Sequence, residues 1–225
     1  MPRPVIVLRP EPGLSETLKG LRDRGIEGVA APLFAIEPVA WDAPDPAGFD
    51  AILVGSANVF RHGGRALNQI AGLPVHAVGA RTAQAARDAG FAVAQTGAGG
   101  LQALLDRARA PVRFLRLAGE KHVALSSPAG VQVVERIVYR AAPLPLTEDV
   151  AAQMADGAVV LLHSGEVARH FADECKRLRV DRSKVSLAAL APRIATAAGE
   201  GWQSVAWAVK PAELALLALA VQMCQ

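Results

Sequence analysis

One pattern occurs twice in this chain. From Phe49 to Phe91 an apolar run ends at Ser56, a helical stretch with basic residues follows, and a second apolar run enters an Ala-rich helix stopped by glycine. From Gly157 to Trp202 a weaker copy repeats this order, with Ser164 in the place of Ser56. Repetition constrains a fold strongly, because similar segments build similar structures. Two similar lobes with a cleft between them are the expectation.

The periodicity along the chain predicts alternating strands and helices. Pro4–Arg9 reads as a strand, Leu14–Arg24 as a helix capped by Gly25, and Gly28–Val39 as one long strand interrupted by Pro32 and Pro38, its later half a bridge out of the first lobe. Asp50–Val54, Val75–Val78, Ala92–Ala94 and Val112–Leu117 read as strands. Helices are expected from Ser56 to about Ile70, over Ala80–Ala89 and over Leu101–Ala108, with a short or irregular one over His122–Ala129. Val131–Tyr139 is rich in β-formers and runs into Pro143 and Pro145. The carboxyl-terminal part continues as helix Val150–Ala155, strand Ala158–Leu162, helix Val167–Leu178, strand Val185–Leu190, helix Ile194–Ala198, strand Ser204–Val209 and helix Glu213–Met223.

Near-continuous apolar strands alternating with helices indicate an α/β fold of parallel sheets covered on both faces. The Pro-marked segments delimit a middle portion of suitable domain size, roughly 100 residues. The opening strand–helix–strand is too small to stand alone and is expected to join the chain's far end. The expected layout is a discontinuous first lobe (residues 1–37 and 146–225), an inserted second lobe (42–141), and linkers at 38–41 and 142–145 forming a two-stranded connection.

Composition narrows the function. A formal charge of +3 over 225 residues, with basic and acidic residues interspersed, is not the footprint of a nucleic-acid binder. It fits a mildly basic pocket for a small anion. No apolar stretch approaches the ~20 residues of a membrane span, so no membrane is expected. The strand-like Val5–Leu8 run begins too early for a signal peptide, and only Cys175 and Cys224 occur, so a reducing, cytoplasmic setting is expected. The five histidines show no metal-ligand spacing.

Candidate chemistry concentrates where strands hand over to helices. Ser56 and Ser164 either cap their helices or line a ligand crevice at the carboxyl ends of the strands, and both readings stand. Neither sits in a G-x-S-x-G elbow, so neither is read as a nucleophile. Gly79 and Thr82 open another such helix. Tyr139 is the only tyrosine, able to donate a proton or simply to keep a wet hydroxyl. Gly97–Gly100 lacks the full dinucleotide-binding pattern and reads as a plain loop.

In order along the chain, several short motifs resemble the uroporphyrinogen-III synthase family. They are Val7-Leu8-Arg9-Pro10; Phe49-Asp50-Ala51-Ile52-Leu53-Val54-Gly55-Ser56-Ala57-Asn58-Val59; Val78-Gly79-Ala80-Arg81-Thr82-Ala83 with Gly90; Leu115-Arg116-Leu117-Ala118-Gly119-Glu120; Val138-Tyr139-Arg140; and the Ser164 and Ala191-Pro192 segments. The resemblance implies a two-lobed enzyme that cyclises hydroxymethylbilane, a linear tetrapyrrole, to uroporphyrinogen III. It implies loss of water, inversion of the last pyrrole ring through a spiro intermediate, and neither cofactor nor metal. It further implies a monomer, in transient contact with the preceding pathway enzyme.

By resemblance Tyr139 is the catalytic group. Arg9, Ser56, Asn58, Thr82, Gly119 and Ser164 are substrate contacts, and Arg193 is an anion contact in a turn that has lost the family's hydroxyls. Leu8 stands where the family usually has Thr, Gly55 where it has the first of two hydroxyl residues, and Ile194 within the altered late turn. These departures motivate one competing expectation, a non-catalytic two-lobed module that binds a small anion.

Overall fold

The computed structural model describes residues 3–224. The chain up to Ala35 and from Ala142 onward forms one compact unit, and Ile36–Ala141 forms the other. The first unit opens with β1 (Val5–Val7), α1 (Gly13–Arg22) and β2 (Gly28–Ala30), after which β3 (Phe34–Pro38) carries the chain into the second. There follow β4 (Ala51–Val54), α2 (Asn58–His62), β5 (Val75–Val78), α3 (Ala80–Asp88), β6 (Val93–Gly97), α4 (Leu101–Leu105), β7 (Val112–Gly119) and β8 (Val131–Pro143). The first unit is completed by α5 (Glu148–Gln153), β9 (Ala158–Leu162), α6 (Gly165–Arg177), β10 (Val185–Ala189), α7 (Pro192–Ala197), β11 (Ser204–Trp207) and α8 (Glu213–Cys224).

The sheet of the first unit has the order β11-β10-β9-β1-β2, and that of the second β3-β8-β7-β4-β5-β6. In each, the five strands that correspond run parallel. Read from β9 through the chain ends to β2, the first unit repeats the second unit's run from β4 to β8 as a circular permutation. Thus β9 answers to β4, β10 to β5, β11 to β6, α8 to α4, β1 to β7 and β2 to β8. Central strands β4, β9 and β10 are buried along their whole length, as parallel strands covered on both faces must be.

Local chemistry explains the helix ends. The Ser164 hydroxyl accepts from the Val167 backbone N–H, Glu166 lies in the first turn of α6, and Lys176 and Arg177 lie in the last, each favourable to the helix dipole. After α1, Gly25 turns the chain at φ +75° while Ile26 donates to the Leu21 carbonyl.

Three expectations are corrected. Gly28–Val39 is two strands in different sheets, since Pro32 has no N–H to extend a ladder. The helix expected from Ser56 to Ile70 ends at His62, because Gly63-Gly64 breaks it with φ +63° at Gly64, and a 3-10 stretch follows. No helix forms over His122–Ala129. That stretch is held open instead by bonds from Arg116 to the Val123 carbonyl and by paired bonds between Gln102 and Ser126.

Phe114 lies on β7 at 1 % exposure, its ring edge-on to His76. Phe114→Ala is expected to lower stability by about 3–5 kcal/mol, the range for emptying a buried aromatic site. Urea unfolding checks this; a loss below about 1 kcal/mol would show that the site collapses without cost.

Candidate active site

The strand orders fix where a ligand can enter each unit. In the second unit the chain leaves β4 toward β5 on one side and β7 toward β8 on the other. Their carboxyl ends therefore part, and in open α/β sheets such a switch point is where ligands bind. A cavity of about 400 Å³ lies there, with walls from residues such as Leu101 and Leu117 and with polar groups from Ser56, Gln102, Arg116, His122 and Tyr139. The cavity exists where the crossover from β7 to β8 lacks a helix, whereas the matching crossover from β1 to β2 carries α1.

A register shift positions Tyr139. Along β7 and β8 the pairing runs one to one as far as Ala118 with Ile137, then skips so that Gly119 faces Tyr139. Such a bulge re-aims a side chain at a strand end. The phenol consequently lies across Gly119. A Cβ on that residue would sit 2.5 Å from Tyr139 Cζ and 2.9 Å from its hydroxyl oxygen, so any side chain there would displace the phenol. His62 lies 6.5 Å from Tyr139, ring centre to ring centre. Burial lowers its pKa, with the Arg61 charge adding to the effect, so this ring is neutral at neutral pH.

Under the same turn sits a polar chain. Arg116, at 4 % exposure, pairs through Nη1 with Glu135 Oε2 at 2.9 Å. The other oxygen of Glu135 faces His122 Nε2 at 2.8 Å, and His122 Nδ1 faces the Gly119 carbonyl at 2.7 Å. Sequence reading met Arg116 only inside a family motif and His122 only as a non-ligand, and it missed Glu135 and Gln102. A signal was present: Arg116 and Glu135 are charges at the same offset within two apolar β runs, and the parallel register makes them direct partners.

The other expected site residues of this unit are placed as follows. Ser56 lines the cavity; it precedes the α2 N-cap Ala57, which makes no side-chain cap bond, and its hydroxyl accepts the Asn58 backbone N–H at 3.2 Å. Gly55 leaves room for Leu101, whose Cδ1 would be 3.0 Å from a Cβ there. Asn58 accepts a bond from Arg61 and does not line the cavity. Thr82 is buried at 6 % exposure in α3 and does not line it either.

In the first unit the switch point falls between β1 and β9, and it is filled by side chains. Arg9 Nη1 donates to Glu213 Oε2 at 3.0 Å and to Thr17 Oγ1 at 3.3 Å, and its guanidinium covers Gly13. The Thr17 hydroxyl donates to Glu213 Oε1 at 2.5 Å, and His163 Nε2 lies 3.2 Å from Glu213 Oε2. Arg9, expected as a substrate contact, is thus engaged with an internal carboxylate. Ser164 caps α6, and Arg193 is exposed in the first turn of α7.

Burial alone would raise the Glu213 pKa. Hydrogen bonds from His163 and Thr17, with the charges of His163 and Arg9, outweigh it and hold the carboxyl down at about 2. Burial pushes the Cys175 thiol up to about 12, which removes it as a nucleophile at neutral pH. Among the described residues no group of three or more His, Cys, Asp or Glu is placed to hold a metal ion, and no helix is long and apolar enough to cross a membrane.

With this geometry in view, the chain can be set beside known proteins. The family model for uroporphyrinogen-III synthase (HemD) matches residues 15–218. Among solved structures, uroporphyrinogen-III synthetase from Helicobacter pylori is similar at 16% identity and TM-score 0.68, covering 98% of this chain and 99% of that one. A mutant uroporphyrinogen III synthase from Thermus thermophilus is similar at 18% identity and TM-score 0.51, covering 99% and 98%. No curated protein matches by sequence.

The depressed Glu213 carboxyl stabilises the fold at neutral pH. A carboxyl that ionises near 4.5 when unfolded and near 2 when folded contributes fully above pH 4.5, and that contribution is lost as pH falls from 4.5 toward 2. Glu213→Gln is therefore expected to be less stable than the parent at pH 7, with the difference shrinking through this window. Thermal unfolding across pH checks it; a constant difference would mean that the carboxylate charge is not what stabilises.

Proposed function

Because the chain belongs to the uroporphyrinogen-III synthase family, matched over residues 15–218, we propose that it converts hydroxymethylbilane to uroporphyrinogen III. The observation that carries the site assignment is the Tyr139 phenol lying across Gly119 at the edge of the second unit's cavity.

The first step breaks the C–O bond of the terminal hydroxymethyl group. The adjacent pyrrole nitrogen supplies the electron pair, and the hydroxyl leaves as water after gaining one proton. Tyr139 is assigned to hydrogen-bond that oxygen and ease its departure. The resulting azafulvene is resonance-stabilised, so the bond cleavage needs little acid catalysis and no cofactor. The methylene carbon is then attacked by the substituted carbon of the last ring, which gives the spiro intermediate. Bond migration inverts that ring, and closure with loss of a proton completes the macrocycle.

The demanding task is to keep the open carbon of the last ring from attacking instead, since that yields the type I isomer. This is a problem of holding one conformation. The cavity's largely apolar walls, broken by Ser56, Gln102, His122 and Tyr139, suit a pyrrole ring with carboxylate arms. The reaction class is that of a cyclising hydro-lyase.

The test supplies hydroxymethylbilane generated in situ and separates the oxidised uroporphyrin isomers. Type III product above the spontaneous background is expected; only type I at the spontaneous rate would overturn the reading. Tyr139→Phe is expected to fold normally and to lose no more than the ~10²–10⁴ in rate typical of general acid catalysis. A far greater loss would show that the chemistry is concentrated on this one group.

A further inference from the structure

We infer that Arg116, Glu135 and His122 are positioning residues for Tyr139, acting on it through the Gly119 peptide. This inference rests on the assignment of Tyr139 to the reaction.

A buried guanidinium is the first indication. β7 is otherwise apolar where it is buried, with Phe114, Leu115 and Leu117 flanking Arg116. An apolar residue would pack there without the desolvation cost of a charge, and a sheet that breaks its own pattern beside a ligand cavity does so most often for function. The charge is matched by its register partner Glu135 at 2.9 Å, while Nη2 of Arg116 donates to the Val123 carbonyl at 2.7 Å. One arginine thus ties β8 to the helix-free crossover.

Glu135 passes the constraint on. Its second oxygen and the Gly119 carbonyl lie on opposite sides of the His122 ring, 2.8 Å from Nε2 and 2.7 Å from Nδ1. Both ring nitrogens therefore face oxygens of the protein itself. The ring thereby ties Glu135 to the Gly119 carbonyl. What it does is fix the direction of the Gly119 carbonyl.

Gly119 is also the residue across which the Tyr139 ring lies, and the next N–H, that of Glu120, donates to the Tyr139 carbonyl at 2.9 Å. The tyrosine is held at both its ring and its backbone by one peptide turn, and that turn is clamped from below by His122. Rotation of the Gly119 peptide would move the phenol. Misplacement of a catalytic group by about 1 Å can cost about 10²-fold in rate.

Because Tyr139 is the only tyrosine, protein carrying ring-labelled tyrosine reports on this one phenol by nuclear magnetic resonance without any activity. His122→Gln and Glu135→Gln are each expected to shift the Tyr139 ring resonances, whereas the control Gln84→Ala, on the exposed side of α3, is not. Unmoved resonances in folded His122→Gln and Glu135→Gln would overturn the inference. In turnover assays each is expected to lower kcat about 10- to 100-fold with KM nearly unchanged, and to raise the share of type I isomer.

The decisive arm places His122→Gln in the Tyr139→Phe background. A residue acting through the Tyr139 hydroxyl loses its effect there, whereas a general structural loss lowers kcat by the same factor in both backgrounds and overturns the inference. Absence of type III product from the parent protein would instead overturn the proposed function, and the tyrosine resonances would still decide whether His122 and Glu135 position Tyr139.

Discussion

A strand in a parallel sheet can be reached only by a crossover, and crossovers that depart in opposite directions leave an opening between them. The cavity of the second unit and the polar cluster of the first both sit at such openings. In the second unit the departure of β4 toward β5 and of β7 toward β8 places Ser56 and Gly119 on facing lips. In the first unit the same divergence at β9 and β1 places His163 and Arg9 together. No separate device creates these crevices; they follow from strand order.

The two openings differ in what fills them, and the difference lies in one crossover. Between β1 and β2 the helix α1 brings Thr17 to Glu213 at the start of α8, and with Arg9 and His163 these form a polar cluster in which His163 Nδ1 stays buried without a partner. Between β7 and β8 the corresponding segment forms no helix. Gln102 at the start of α4 holds it through Ser126, much as α8 holds α1, but the volume that a helix would occupy remains open as the cavity. Similar topology has been used once for a closed polar plug and once for a ligand-sized space.

Much of this was legible in the residues and some was not. The repeated strand–serine–helix pattern marked both switch points, and Ala158–Leu162 and Val75–Val78 coincide with their strands because short, mostly apolar runs bounded by turn residues favour strands. Gly28–Val39 was misread because two short strands joined at a proline look, in one dimension, like one interrupted strand; only the pairing partners separate them. The stretch His122–Ala129 has enough Ala and Leu for a helix, yet its hydrogen bonds go to the side chains of Arg116 and Gln102, 7 and 24 residues away. Arg9, a substrate contact by resemblance, has an internal partner in Glu213, 204 residues away. Tertiary pairing decided these arrangements, and a one-dimensional reading does not show it.

The bulge at Gly119 shows how little sequence such a site requires. Advancing β8 by one residue relative to β7 brings Tyr139 over the glycine, where an in-register ladder would have set Val138. That single offset makes three residue types interdependent. At 119 an aromatic ring occupies the space of a side chain, the aromatic at 139 lies over the 119 peptide, and His122 meets that peptide's carbonyl. A reaction whose bond-breaking is intrinsically easy and whose regiochemistry is hard gains little from a strong acid and much from a hydroxyl held still. A clamped peptide beneath a lone tyrosine is a structure suited to that requirement.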